Sequence, residues 1–108
     1  MGGGKTKTFA LFSYGTLQQS EVQVAVLGRT VSGEPDALGG FVEAPILIEG
    51  ETYLTLRPGD GVVRGVVLQL SNDELRAVDA YEGTAHYVRV EVKLQSGREA
   101  FVFVSAEC

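Results

Sequence analysis

Two alternating stretches, Thr52–Arg57 and Val62–Leu70, flank the run Pro58-Gly59-Asp60-Gly61, and this pattern constrains the fold of the 108-residue chain more than any other feature. Proline presets φ for a turn, glycine admits positive φ, and aspartate hydrogen-bonds its own backbone, so the four residues predict a hairpin turn. A hairpin needs a sheet around it. Thr8–Tyr14 supplies apolar side chains to both of its alternating sets, which predicts a strand buried on both faces. Tyr87–Leu94 places Val88, Val90, Val92 and Leu94 on one side, and Gln95-Ser96-Gly97-Arg98 turns the chain into a final strand, Ala100–Val104. Asp36–Glu43 and Pro45–Ile48 read as two short strands, the second at an edge because Pro45 has no N–H to donate.

Two segments change period. Ser20-Glu21-Val22-Gln23 and Ser71-Asn72-Asp73-Glu74 both have the spacing of a capping box. The first predicts a short helix carrying Val22, Ala25 and Val26 and ending at Gly28; the second predicts a helix carrying Leu75, Val78 and Tyr81 and ending near Gly83. About six strands and two helices in this order predict an α+β fold, a small mixed, mostly antiparallel sheet curling into a barrel with two short flanking helices. The length suits one domain, 8–108, after a flexible N-terminal segment, 1–7.

Charge and residue inventory narrow the chemistry. Nine Lys and Arg against fourteen Asp and Glu give a net charge of −5, and no basic stripe offers a nucleic acid its phosphate contacts. No apolar run reaches the ~18 residues of a membrane span, and no signal-peptide core follows Met1. Cys108, the lone cysteine, provides no disulfide framework and points to a reducing, cytoplasmic setting. One histidine, His86, and one cysteine make no zinc site, and no Walker loop, dinucleotide fingerprint or nucleophile elbow is present, so neither metal nor cofactor is expected. His86 reads as a surface residue at a strand entry. Glu34, Asp36, Glu43, Glu49, Glu51 and Asp60 share their stretch with one base, Arg57. That acidity is either a solvated surface or a field drawing a cationic small substrate. Oligomeric state leaves no readable trace.

Two constellations remain. Tyr14-Gly15-Thr16-Leu17 is a glycine turn between a buried strand and a helix start, where unpaired amides and a helix dipole suit an anion. It is equally an ordinary connection with Tyr14 in the core. In Asp79-Ala80-Tyr81-Glu82-Gly83, Glu82 falls at a helix C-terminus, where the dipole disfavours an acid, with Asp79 three residues before it. Both effects, and desolvation by Tyr81 and Tyr87, would raise a carboxyl pKa towards neutrality, as proton transfer requires. Two surface acids beside a glycine cap are the plainer alternative.

Taken with Gly65 in VVRGVVLQL, Pro45 in API and VDAYEGTAHYVR from Val78 to Arg89, these elements resemble the γ-glutamyl cyclotransferase-like (AIG2-like) family over Phe9 to about Val104. The resemblance implies a small mixed barrel with flanking helices. It also implies an enzyme that releases 5-oxoproline from a γ-glutamyl amine or γ-glutamyl amino acid, without a cofactor. The substrate's α-amine attacks its own γ-carbonyl, so orientation and proton movement carry the catalysis. The family's catalytic glutamate matches Glu82, as general base and then general acid. Its substrate-binding turn matches Tyr14, Gly15, Thr16 and Leu17, and its pocket tyrosine matches Tyr87. Gly65, Arg89 and Asp79 read as structural. The chain departs from the family at Gln18, where arginine is common, at Ala44, where an aromatic is frequent, and in AFVFV, where a tyrosine is common. A non-catalytic module binding a small metabolite or a partner on the same fold is the alternative.

Overall fold

The structure, a computed structural model, describes residues 7–83 and 86–106. The expected flexible segment 1–7 (Lys7 apart), residues 84 and 85 and Cys108 lie outside the described residues. Along the chain follow β1 (Phe9–Ser13), a 3-10 turn (Thr16–Gln18), α1 (Ser20–Leu27), β2 (Glu34–Ile48), β3 (Glu51–Leu70), α2 (Asn72–Gly83), β4 (Tyr87–Lys93) and β5 (Glu99–Ser105). The strands form one sheet in the order β2-β3-β1-β5-β4. Every neighbouring pair is antiparallel except β1 with β5.

Pro58–Gly61 is not the hairpin turn. The expected strands Thr52–Arg57 and Val62–Leu70 are one strand, β3, and Asp36–Glu43 and Pro45–Ile48 are one strand, β2. The turn between them is Glu49-Gly50, at φ +50° and +85°, between the paired residues Ile48 and Glu51. Two central residues at positive φ match the right-handed twist of a hairpin, and that twist selects this turn over a proline-led one. Phe41 pairs with Pro58 and Gly39 with Val62, so residues 59–61 stand opposite Gly40 alone. The run is therefore a bulge that bends β3. A Cβ at Gly61 would lie 2.8 Å from the Phe41 carbonyl oxygen, so glycine permits the close approach there. Pro45 does lie at a sheet edge, on β2.

β1 is buried on both faces, as its sequence predicts. Leu11 packs with Leu17, Leu68, Leu70, Leu75, Val78 and Phe103 under the helices. Phe12 packs on the other side with Leu38, Leu56, Val63, Val67, Leu94, Ala100 and Val102. Burying such a side chain contributes about 1.5–3 kcal/mol, so β1 holds two layers together. The second cluster draws the sheet edges inward. Gln95 N–H donates to the Ala37 carbonyl at 2.8 Å and Ser96 Oγ donates to Asp36 at 2.6 Å, joining the β4–β5 turn to β2. Further along, Ser105 N–H donates to Thr55 Oγ1 at 2.8 Å. The result is a curled half-barrel. Val92 of β4 and Leu94 just beyond it pack inward, but Val88 and Val90 stay about two-fifths exposed because β4 is an outer strand.

The two capping boxes diverge. At α2 the box forms, with Ser71 N–H donating to Glu74 Oε1 at 2.9 Å and Glu74 N–H to Ser71 Oγ at 3.2 Å. At α1 it does not: Gln19 is the N-cap and makes no side-chain cap bond. Gln23 is buried instead, donating to the Leu17 carbonyl at 3.0 Å and accepting from Val31 N–H at 2.7 Å. Leaving those two backbone groups unsatisfied would cost about 1–3 kcal/mol each, more than an exposed cap returns. Gly28, at φ +81°, ends α1 as expected.

Candidate active site

β1 ends where the half-barrel opens, and the chain there bounds a cavity of about 490 Å³. Tyr14, Gly15, Thr16 and Leu17 form one wall, Glu82 and Tyr81 of α2 a second, and Thr52, Tyr53 and Leu54 of β3 a third. Tyr87 and Phe103 line it as well. All six residues singled out from the sequence thus border a single hollow.

The turn is tighter than expected. Gln18 N–H bonds the Gly15 carbonyl at 3.2 Å and Gln19 N–H the Thr16 carbonyl at 2.9 Å, closing one 3-10 turn before α1 begins at Ser20. The dipole of α1 therefore starts beyond Leu17, a correction to the idea that it reaches the turn. The amides of Gly15, Thr16 and Leu17 precede the first intrahelical bond and have no acceptor within the turn itself. A Cβ at Gly15 would meet no atom within 4 Å, so nothing in the folded chain demands glycine there. Gln18, in place of the family's arginine, donates its side-chain amide to the Gly15 carbonyl at 3.1 Å.

Glu82 faces the turn from the last turn of α2, and burial pushes its carboxyl up to about 7. Of the causes read in the sequence, desolvation is the one that acts here. Asp79 is turned away to Arg89, with 3.2 Å between Oδ2 and Nη1, so it does not act on Glu82 as a like charge. Arg89 also stacks on the Phe101 ring at 4.7 Å, which makes both residues structural. Thr16 Oγ1 and the Tyr81 hydroxyl are 3.0 Å apart, tying the turn to the helix that carries Glu82. Tyr14 donates its hydroxyl to the Phe103 carbonyl at 2.7 Å, and burial, with Tyr87 and Glu82 nearby, raises its pKa and keeps it a neutral donor. Tyr87 donates to the Leu54 carbonyl across the cavity mouth.

Other expectations resolve simply. A Cβ at Gly65 would lie 2.3 Å from the Ser13 carbonyl oxygen, so its glycine serves packing. His86 is exposed, 3.7 Å from Glu49. None of the six acids of the middle segment lines the cavity, and all but Asp36 are exposed. Among the described residues no cluster of three or more His, Cys, Asp or Glu could hold a metal ion, and no helix is long and apolar enough to cross a membrane. The β3 wall went unread in the sequence. Recognising Glu49-Gly50 as the turn would have found it, since that register carries Thr52–Leu54 to the cavity.

Residues 11–108 match the family described as gamma-glutamyl cyclotransferase, AIG2-like. The chain belongs to this family. AIG2-like protein C of Arabidopsis thaliana is 35% identical over 94 residues, 84% of this chain and 54% of that protein. The chain thus spans about half the length of this curated family member. A solution structure of another Arabidopsis thaliana protein superposes with a TM-score of 0.78 at 24% identity, covering 99% of this chain and 67% of the other. A structure titled gamma-glutamyl cyclotransferase gives 0.76 at 21% identity, covering 93% and 68%. At those identities the two structures speak for the fold, the curled mixed sheet with two helices that the sequence predicts.

Proposed function

We propose that this AIG2-like chain is a γ-glutamyl cyclotransferase-type enzyme that releases 5-oxoproline from a γ-glutamyl amine or amino acid, with Glu82 exchanging the proton. The observation that carries this reading is that Glu82, a carboxyl pushed up to about 7, and the Tyr14–Leu17 glycine turn border one cavity. In it the amides of the Tyr14–Leu17 turn receive the substrate's α-carboxylate and the developing oxyanion. Glu82 takes a proton from the α-ammonium; the freed amine attacks the γ-carbonyl carbon, forming the lactam C–N bond. The amide C–N bond then breaks as Glu82 returns that proton to the leaving nitrogen; the second proton of the attacking nitrogen follows through Glu82 to the released amine, leaving a neutral lactam and an ammonium ion. A group titrating near 7 serves both halves at neutral pH. Closing a five-membered ring is intramolecular, so holding the chain folded back on itself removes much of the barrier. Tyr87, at the mouth, packs along the chain.

The test is to incubate the protein with γ-glutamyl amino acids and γ-glutamyl-ε-lysine, quantify 5-oxoproline, and follow the Tyr14–Leu17 amides by NMR. Product formation with saturable shifts at the turn is the expected result. Saturable shifts without product would replace the enzyme by a binding module; neither would remove the site altogether.

A further inference from the structure

We infer that the site accepts γ-glutamyl compounds whose leaving amine carries an apolar side chain, aromatic or branched aliphatic. The inference rests on the cyclotransferase reading above and concerns the third wall of the same cavity. With the α-carboxylate on the Tyr14–Leu17 turn and the α-amine at Glu82, the wall left for the remaining substituent of the γ-carbonyl is Thr52, Tyr53 and Leu54. That wall carries no charged side chain. Leu54 lines the cavity yet is 47% exposed. Leu47, directly opposite Thr52 in the β2–β3 pairing, is 72% exposed, the most exposed of the large apolar side chains described. Side chains directly opposite in a ladder have Cβ atoms about 4.5–5.5 Å apart and those on the diagonal about 7–8 Å, so Leu47 and Leu54 are diagonal neighbours on one face of the β2–β3 ladder.

Charge points the same way. Glu82 is the one charged residue among the described residues of the lining, and a proton-exchanging carboxyl cannot also hold a fixed cation. Among the described residues no lysine or arginine lines the cavity to receive a second carboxylate. Glu49 and Glu51 sit at the hairpin tip, exposed to water, and Glu49 faces His86. Screened charges of that kind add little selectivity for a cationic amine. A leaving group with a large apolar side chain instead covers Leu54 and Leu47 and leaves any carboxylate of its own in solvent.

The experiment compares kcat/KM for γ-glutamyl-phenylalanine, γ-glutamyl-leucine, γ-glutamyl-glycine and γ-glutamyl-ε-lysine, using the full chain and 5-oxoproline release. The phenylalanine and leucine compounds are expected to exceed the other two by at least about tenfold, the low end for burying such a side chain. In Leu47→Asp the phenylalanine-to-glycine ratio is expected to fall at least about threefold, roughly half of that preference on a logarithmic scale. Because the ratio is taken within one variant, partial unfolding does not move it. Equal values across the panel, a preference for the lysine compound, or an unchanged ratio in Leu47→Asp overturns the inference and leaves the cyclotransferase reading standing. No 5-oxoproline from any of the four overturns that reading, and the inference falls with it.

Discussion

Replacing Glu82 by glutamine should make the protein more stable, and only at neutral and alkaline pH. Burial raises this carboxyl from 4.5 to about 7, so the folded chain favours the protonated form. A raised pKa stabilises below the unfolded value and loses that stabilisation as pH climbs through the folded value. At about 1.4 kcal/mol per pH unit, the ionised side chain costs the fold up to about 3 kcal/mol above pH 7. Water at the cavity mouth screens part of it, leaving about 1.5–3 kcal/mol. Glutamine resembles the protonated acid in shape and carries no charge. Urea unfolding of wild type and Glu82→Gln at pH 4.5 and pH 8.5 reads the effect directly. The variant should be more stable at pH 8.5 by that amount and within about 0.5 kcal/mol of wild type at pH 4.5. An equal difference at both pH values would show that Glu82 is not desolvated, and the electrostatic argument for its role would fail.

Gly65→Ala should lose about 1–3 kcal/mol in the same assay, because its Cβ would press on the Ser13 carbonyl at 2.3 Å and the Phe12 ring at 2.9 Å. Gly50→Val should lose about 1–2 kcal/mol, since residue 50 is held at φ +85° in the hairpin turn. Glu74→Ala removes the side-chain half of the α2 capping box, the bond from Ser71 N–H, and the bidentate pair with Arg29, whose second bond is 2.9 Å, and should cost about 1–2 kcal/mol at pH 7. Arg29 holds the Glu74 pKa well below the usual carboxylate range, so the cost should fade as pH falls below 4.5 towards 2 in acid unfolding.

Where local chemistry leaves one solution, the sequence was readable. β1 is apolar in both alternating sets and is buried on both faces. At Ser71–Glu74 the carboxylate accepts from Ser71 N–H and from Arg29 together, so nothing draws it away and the box forms. Ser20–Gln23 looks the same on paper, but Gln23 is wanted by two buried backbone groups and the box is lost. The bulge at residues 59–61 was misread because proline and glycine mark a bend equally in a turn and in a long strand. Only the partner strand decides, and Gly39-Gly40 lies some twenty residues away in sequence. The same misplacement hid Thr52–Leu54 from the site. Glu82 was singled out for a helix-end dipole, a neighbouring charge and desolvation by Tyr81 and Tyr87; the fold directs the charge, Asp79, to Arg89, and desolvation produces the raised pKa.

The most direct measurement is the rate of 5-oxoproline formation from a γ-glutamyl substrate by wild type and by Glu82→Gln, side by side at pH 7.5 with both proteins shown to be folded. Loss of at least about a hundredfold in kcat is what a proton-shuttling carboxyl predicts. Equal rates in the two proteins would contradict the account at its centre.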